Sequence, residues 1–150
     1  MVPLYSAYVS DAGNPQAKKG RGFVRRVARV GWLRRALLSP VIARPGYWFA
    51  TLSAVIWGGI LGGFHVRKQH GMLVASHLPK WAFGRGGTTV GAVYLTSDNI
   101  TPSIIEHEAV HKAQWKKYGL AFIPLYVEAG QNAHTNRFEV EAGLKKGGYA

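Results

Sequence analysis

Hydrophobic and polar positions change rhythm several times along the chain, and each change predicts an element. Residues 1–20 carry Gly, Asn, Pro, Ser and Lys without a period and read as a flexible tail. Gly22 to Leu38, GFVRRVARVGWLRRALL, places Phe23, Val27, Val30 and Leu37 near one helical stripe, with arginines over most of the remaining surface. That pattern predicts a basic amphipathic helix. From Tyr47 to Phe64 runs YWFATLSAVIWGGILGGF, eighteen residues without a charge. A helix of that length spans about 27 Å, slightly under the ~30 Å hydrocarbon core of a bilayer. The run is a marginal membrane-type segment, with Tyr47, Trp48 and Trp57 as interface anchors. A buried core helix, or a hairpin of apolar strands broken at the glycines, are its alternatives.

Beyond Phe64 the period shortens. His65 to Ser76, HVRKQHGMLVAS, alternates on either side of His70-Gly71 and predicts a β-hairpin. Leu78 to Gly87 reads as a loop. Thr88 to Thr96, TTVGAVYLT, is β-branched and apolar and predicts one strand, broken at Ser97-Asp98-Asn99. A helix then opens, either with Thr101 as cap ahead of Pro102 or with a capping box from Ser103 to Glu106. It should run to about Tyr118 and stop at Gly119. Phe122 to Val127, FIPLYV, reads as a packed segment or a shallow membrane contact, and Asn136 is the expected cap of a second helix. The chain is thus expected to be α+β. Residues 21–64 form a basic and apolar helical region, and residues 65–150 carry a small sheet and two helices.

Charge adds a partner to this picture. Nineteen Lys and Arg against seven Asp and Glu give a net charge of +12. The excess lies in the first part of the chain: residues 1–85 hold thirteen cations and only Asp11 as an acid, while residues 86–150 balance. Such a surface calls for an anionic partner. The adjoining apolar run favours a lipid surface, while residues 18–35 are the segment that a nucleic acid or a larger protein assembly would use. If the apolar run spans, the cations before it keep the N-terminus in the cytoplasm; a monotopic arrangement leaves the whole chain on one side. The absence of cysteine excludes disulfides, thiolate nucleophiles and Cys-based metal sites. Any metal must be held by His, Asp or Glu.

The helix after Thr101 carries the strongest chemical signal. His107-Glu108-Ala109-Val110-His111 is an H-E-x-x-H pattern. Histidines at i and i+4 share one helical face, so both imidazoles can reach one Zn²⁺ at ~2.0–2.1 Å. Glu108, beside the first histidine, is placed to take a proton from an attacking water as general base. A catalytic site of this kind needs a third protein ligand and an open position. Glu128, His134, Glu139 and Glu141 are all available, and spacing alone leaves the choice open. Glu139 has a plainer role available as the N3 acid of a capping box opened by Asn136. Gln114 lies one turn beyond His111, on the same face, and with Glu141 and His134 is a candidate to support the ligands. No Ser-His-Asp triad, P-loop or dinucleotide-binding glycine pattern is present.

TTVGAVYLT, HEAVHKAQW, YGLAFIPLY and NRFEVEA, taken in order, resemble a family of small actinobacterial membrane-linked proteins of unknown function. The resemblance covers about residues 47–142 and implies the metal site, not an activity. The zinc part is also similar to gluzincin metallopeptidases, above all integral-membrane proteases in which H-E-x-x-H is followed by E-x-x-A-D. That similarity implies a zincin-like fold, with Glu139 as the third zinc ligand and Glu141 at the variable position. Gly143 stands where those proteases carry Asp, so their carboxylate that orients a ligand histidine has no counterpart there. The expectation is a zinc-dependent metallopeptidase-like protein acting on a peptide or protein substrate, associated with a membrane, by this resemblance a bacterial inner membrane. The alternatives are a non-catalytic zincin-like component of a larger assembly and a basic nucleic-acid-binding accessory protein.

Overall fold

The structure, a computed structural model, describes residues 31–83 and 86–149. The expected tail over residues 1–20 and the first part of the basic helix lie outside them. Helix α1 is Gly31–Leu37, and α2 is Pro40–Leu61. Helix α2 starts seven residues before the uncharged run, because Ser39 and Pro40 supply an extended cap residue and a proline already set at the helical φ. It takes in Arg44 and Pro45, passes through Gly58 and Gly59 and ends at Leu61 ahead of Gly62, so the run is neither a strand hairpin nor a segment bounded by its own uncharged stretch. Its small residues, Ala43, Gly46, Ala50, Ala54 and Gly58 among them, are buried with Tyr47, while most of its large apolar side chains face outward. A Cβ at Gly58 would stand 2.9 Å from the Cβ of Ala75, so only glycine lets the helix lie this close to the sheet. No helix among the described residues is long and apolar enough to cross a membrane.

Four short strands follow: β1 (Val66–Gln69), β2 (Met72–Ala75), β3 (Gly87–Val90) and β4 (Val93–Thr96), in the order β1-β2-β4-β3. Strands β1 and β2 form the expected antiparallel hairpin, turning at His70 and Gly71 with φ of 45° and 78°. Positive φ at both central residues gives the two-residue turn the twist the strands need. The single strand expected over Thr88–Thr96 is instead a second hairpin, β3–β4, in which Val90 pairs with Val93. Gly91 is the reason. Its φ of 61° reverses the chain, and the Thr51 hydroxyl of α2 accepts the Ala92 N–H at 3.0 Å to hold the turn. Strands β2 and β4 run parallel. The expected loop between the hairpins contains one turn of 3₁₀-helix, Lys80–Ala82.

The sheet is covered on both faces. Ala75, Val93 and Leu95 pack with Ala54 of α2 on one side. Met72, Val74 and Tyr94 pack with Ile105 on the other, where the third helix, α3 (Pro102–Tyr118), lies. Helices α4 (Phe122–Ala129) and α5 (Arg137–Ala142) close the end of the molecule. There Tyr47, Trp115, Phe122 and Phe138 form an aromatic cluster that ties α2, α3, α4 and α5 together. The architecture is α+β with a mixed four-stranded sheet between helical layers.

Candidate metal centre

Helix α3 presents the histidines. The Thr101 hydroxyl accepts the Ile104 N–H at 3.3 Å and Pro102 occupies the first helical position, so the Thr-Pro start is the one used. Ser103 and Glu106 do not form a capping box: Ser103 donates to the Lys146 carbonyl, and Glu106 pairs with Lys146 at 2.8 Å. The helix ends at Tyr118, with Gly119 at φ 55°. One turn apart on its buried face, His107 and His111 bring their Nε2 atoms to 3.1 Å.

Helix α5 brings the carboxylate. Asn136 caps it as expected, its side chain accepting the Phe138 N–H at 3.0 Å. Glu139 is not spent on capping; it is 3 % exposed and turned towards the histidines. Its Oε2 lies 3.2 Å from His107 Nε2, and its Oε1 lies 3.6 Å from His111 Nε2. One ligand atom from each residue falls within 4.8 Å of the others, a group that could hold a metal ion. Tetrahedral ligands with bonds of ~2.0–2.1 Å stand about 3.3 Å from one another, so these spacings suit a small divalent ion without rearrangement.

Proton placement points the same way. His107 Nδ1 is 3.1 Å from the Gly143 carbonyl, which can only accept, so that nitrogen carries the hydrogen. His111 Nδ1 is likewise 2.8 Å from Gln114 Oε1. Each neutral ring therefore turns an Nε2 lone pair inward, and two lone pairs at 3.1 Å repel unless a cation or a proton lies between them. Glu139 Oε2, fully buried, has no hydrogen-bond partner. The residues fit a metal.

The surrounding contacts hold these ligands in place. The amide nitrogen of Gln114 donates to Glu141 Oε2 at 2.9 Å and to the Phe138 carbonyl at 3.1 Å, linking His111 to α5. Gln114 and Glu141 thus lie behind His111, hydrogen-bonded to each other. His134 does not: it is exposed and outside the group, its N–H bonded to Asn132 Oδ1 in the loop before α5. Glu128, at the end of α4, is outside it too. The orienting contact for His107 comes from the backbone carbonyl of Gly143, whose φ of 91° suits glycine.

Two tyrosines went unread in the sequence. Tyr126 donates its hydroxyl to Glu139 Oε1, and Tyr149 sets its ring 5.9 Å from that of His107. Tyr126 lies in the segment read as packing or a shallow membrane contact, and nothing in spacing ties Tyr149 to the histidines. Gly147 lets this last turn approach, since a Cβ there would stand 2.6 Å from His107 Cε1.

Burial alone would raise the Glu139 pKa, but the close imidazoles of His107 and His111 and the Tyr126 hydroxyl hold it well below the usual carboxylate range. Glu108 behaves oppositely. Burial pushes its pKa up, and the opposing influence of His111 and His107 does not cancel this. Its Oε2 is buried without a partner beside the cluster. The cluster lines a cavity of about 260 Å³, walled by β3 on one side and by Phe122, Ile123, Tyr126 and Val127 on the other. A buried carboxyl with a raised pKa, next to a group able to hold a cation, is suited to proton transfer. No family model, curated protein or solved structure matches the chain.

Proposed function

We propose that the chain is a zinc-dependent metallopeptidase-like protein with a zincin-like domain. The observation that carries this reading is the convergence of His107, His111 and Glu139 on one point, with the buried carboxyl of Glu108, its Oε2 unpartnered, beside it. Two imidazoles and one carboxylate at tetrahedral spacing form a donor set that zinc favours, and three ligands leave a fourth position for chemistry. When bound, the ion supplies Lewis-acid polarisation of a peptide carbonyl and makes water more acidic. Glu108 accepts the proton of the attacking water and returns it to the leaving amine. Tyr126 and Gln114 keep Glu139 and His111 in register meanwhile. Strand β3, at the edge of the sheet and in the cavity wall, offers its backbone to an extended peptide. Trp115 already donates to the Thr89 carbonyl at 2.8 Å, which leaves the Gly87 end of that edge for pairing.

The test is a peptide-library digest with the zinc-loaded chain and with Glu108→Gln. Glu108 is not a ligand, so the variant keeps its metal while cleavage falls by at least about a hundredfold. Cleavage by neither protein, or equal cleavage by both, would leave the non-catalytic component of an assembly as the better reading.

A further inference from the structure

The outer side of α2 carries a run of exposed large apolar residues. Val41, Trp48, Phe49, Leu52, Ile56 and Ile60 are each more than half exposed, opposite the small residues that meet the sheet. Contiguous apolar surface of this kind marks a binding face.

The band continues past the helix. Leu120 packs on Gly46, its Cγ 3.2 Å from where a Cβ would stand, and the exposed Ile42 and Phe49 lie one turn to either side of Gly46. Ile123 and Val127 follow Leu120 at successive helical turns, each about half exposed. Those two residues also line the cavity that holds the histidine–glutamate cluster. Apolar surface thus runs unbroken from α2 to the mouth of the metal-site cavity.

Charge identifies the occupant. No acidic residue occurs between Asp11 and Asp98, and Arg35, Arg44, Arg67, Lys68 and Lys80 are exposed. A second copy docked on this face would bring together two α2 helices that each carry Arg44, one turn from the exposed Trp48, and no acid. Anionic lipid matches both features at once, its headgroups meeting the cations and its acyl region the aromatic and aliphatic side chains. The burial of the opposite side of α2 against the sheet requires the helix to lie in the interface.

We infer that this face docks flat on an anionic bilayer, which sets the mouth of the metal-site cavity at the lipid–water boundary. The second part rests on the peptidase reading, and it makes the substrate a peptide segment presented at a membrane surface.

The chain has no cysteine, so single cysteines report position cleanly. An environment-sensitive fluorophore is placed on Phe49→Cys, Ile56→Cys, Ile123→Cys and, behind the sheet, Glu106→Cys in the full-length protein. Vesicles of phosphatidylcholine with phosphatidylglycerol should blue-shift the first three labels and leave the fourth unchanged; phosphatidylcholine alone should shift none. The double variant Trp48→Ser, Phe49→Ser should lose about tenfold or more in vesicle affinity. It should keep its metal content and its cleavage of soluble peptides, whereas Glu108→Gln should lose cleavage and keep vesicle binding. No vesicle binding, a shift at residue 106 instead, or a wild-type dimer that the double variant converts to monomer would each overturn the docking proposal. None of these would touch the metal reading.

Discussion

His107 and Glu139 meet at 3.2 Å, although one sits on the second turn of a seventeen-residue helix and the other on a six-residue helix near the end of the chain. Everything between them serves to make that approach. Helix α3 stops at Gly119, α4 turns the chain back, and Asn136 restarts it with the carboxylate facing inward. Asn136 also donates to the Tyr126 and Gly130 carbonyls, so the same side chain that opens α5 fixes its position against α4.

Removing the contact that orients His111 should weaken metal binding without abolishing it. Gln114→Ala takes away the acceptor for His111 Nδ1 and the link to α5. Losing such a partner weakens metal affinity by about 10- to 100-fold. Glu141→Ala should do less, because Glu141 is exposed and acts only through Gln114. Competition titrations with a chromophoric chelator measure both.

Metal affinity should fall on mild acidification. In the metal-free chain burial disfavours a charged His111, yet hydrogen bonding with Glu139 and the charge of Glu108 outweigh it and raise the pKa above 6.5. Proton and metal compete for the same Nε2. As pH drops through that raised pKa the proton wins, so the loss of affinity should begin above pH 6.5. An affinity that stays flat down to about pH 5 would contradict the burial and contacts assigned to His111.

Gly91→Val should destabilise the fold without touching the ligands. The residue sits at φ 61° and a Cβ there would stand 2.5 Å from the Thr51 nitrogen, so a branched side chain is both strained and crowded. A left-handed non-glycine residue alone costs about 1–3 kcal/mol. Thermal unfolding should show a drop of several degrees, with metal content per folded chain unchanged.

How much of this was legible in the sequence depends on whether a feature is local. The first hairpin, the helix from Pro102 to Tyr118 and the cap at Asn136 are written in neighbouring residues, and the sequence predicts each. The paired histidines belong to this group. Thr88 to Thr96 was misread because β-branched residues mask Gly91, whose turn depends on Thr51 across the sheet. Hydropathy could not show that the run after Tyr47 is two-faced by size, small residues to the sheet and large ones outward. Spacing also could not choose among Glu128, His134, Glu139 and Glu141, since that choice is made by the packing of α5 on α3. Here the family resemblance pointed to Glu139, the residue that lies against both histidines.

The most direct test of the central claim is elemental analysis of protein purified without chelator. The account predicts about one zinc per chain in the wild type, lost in His107→Ala, His111→Ala and Glu139→Ala and kept in Glu108→Gln and His134→Ala. Folded wild-type protein with no zinc, or zinc that survives loss of His107 and Glu139, would contradict it.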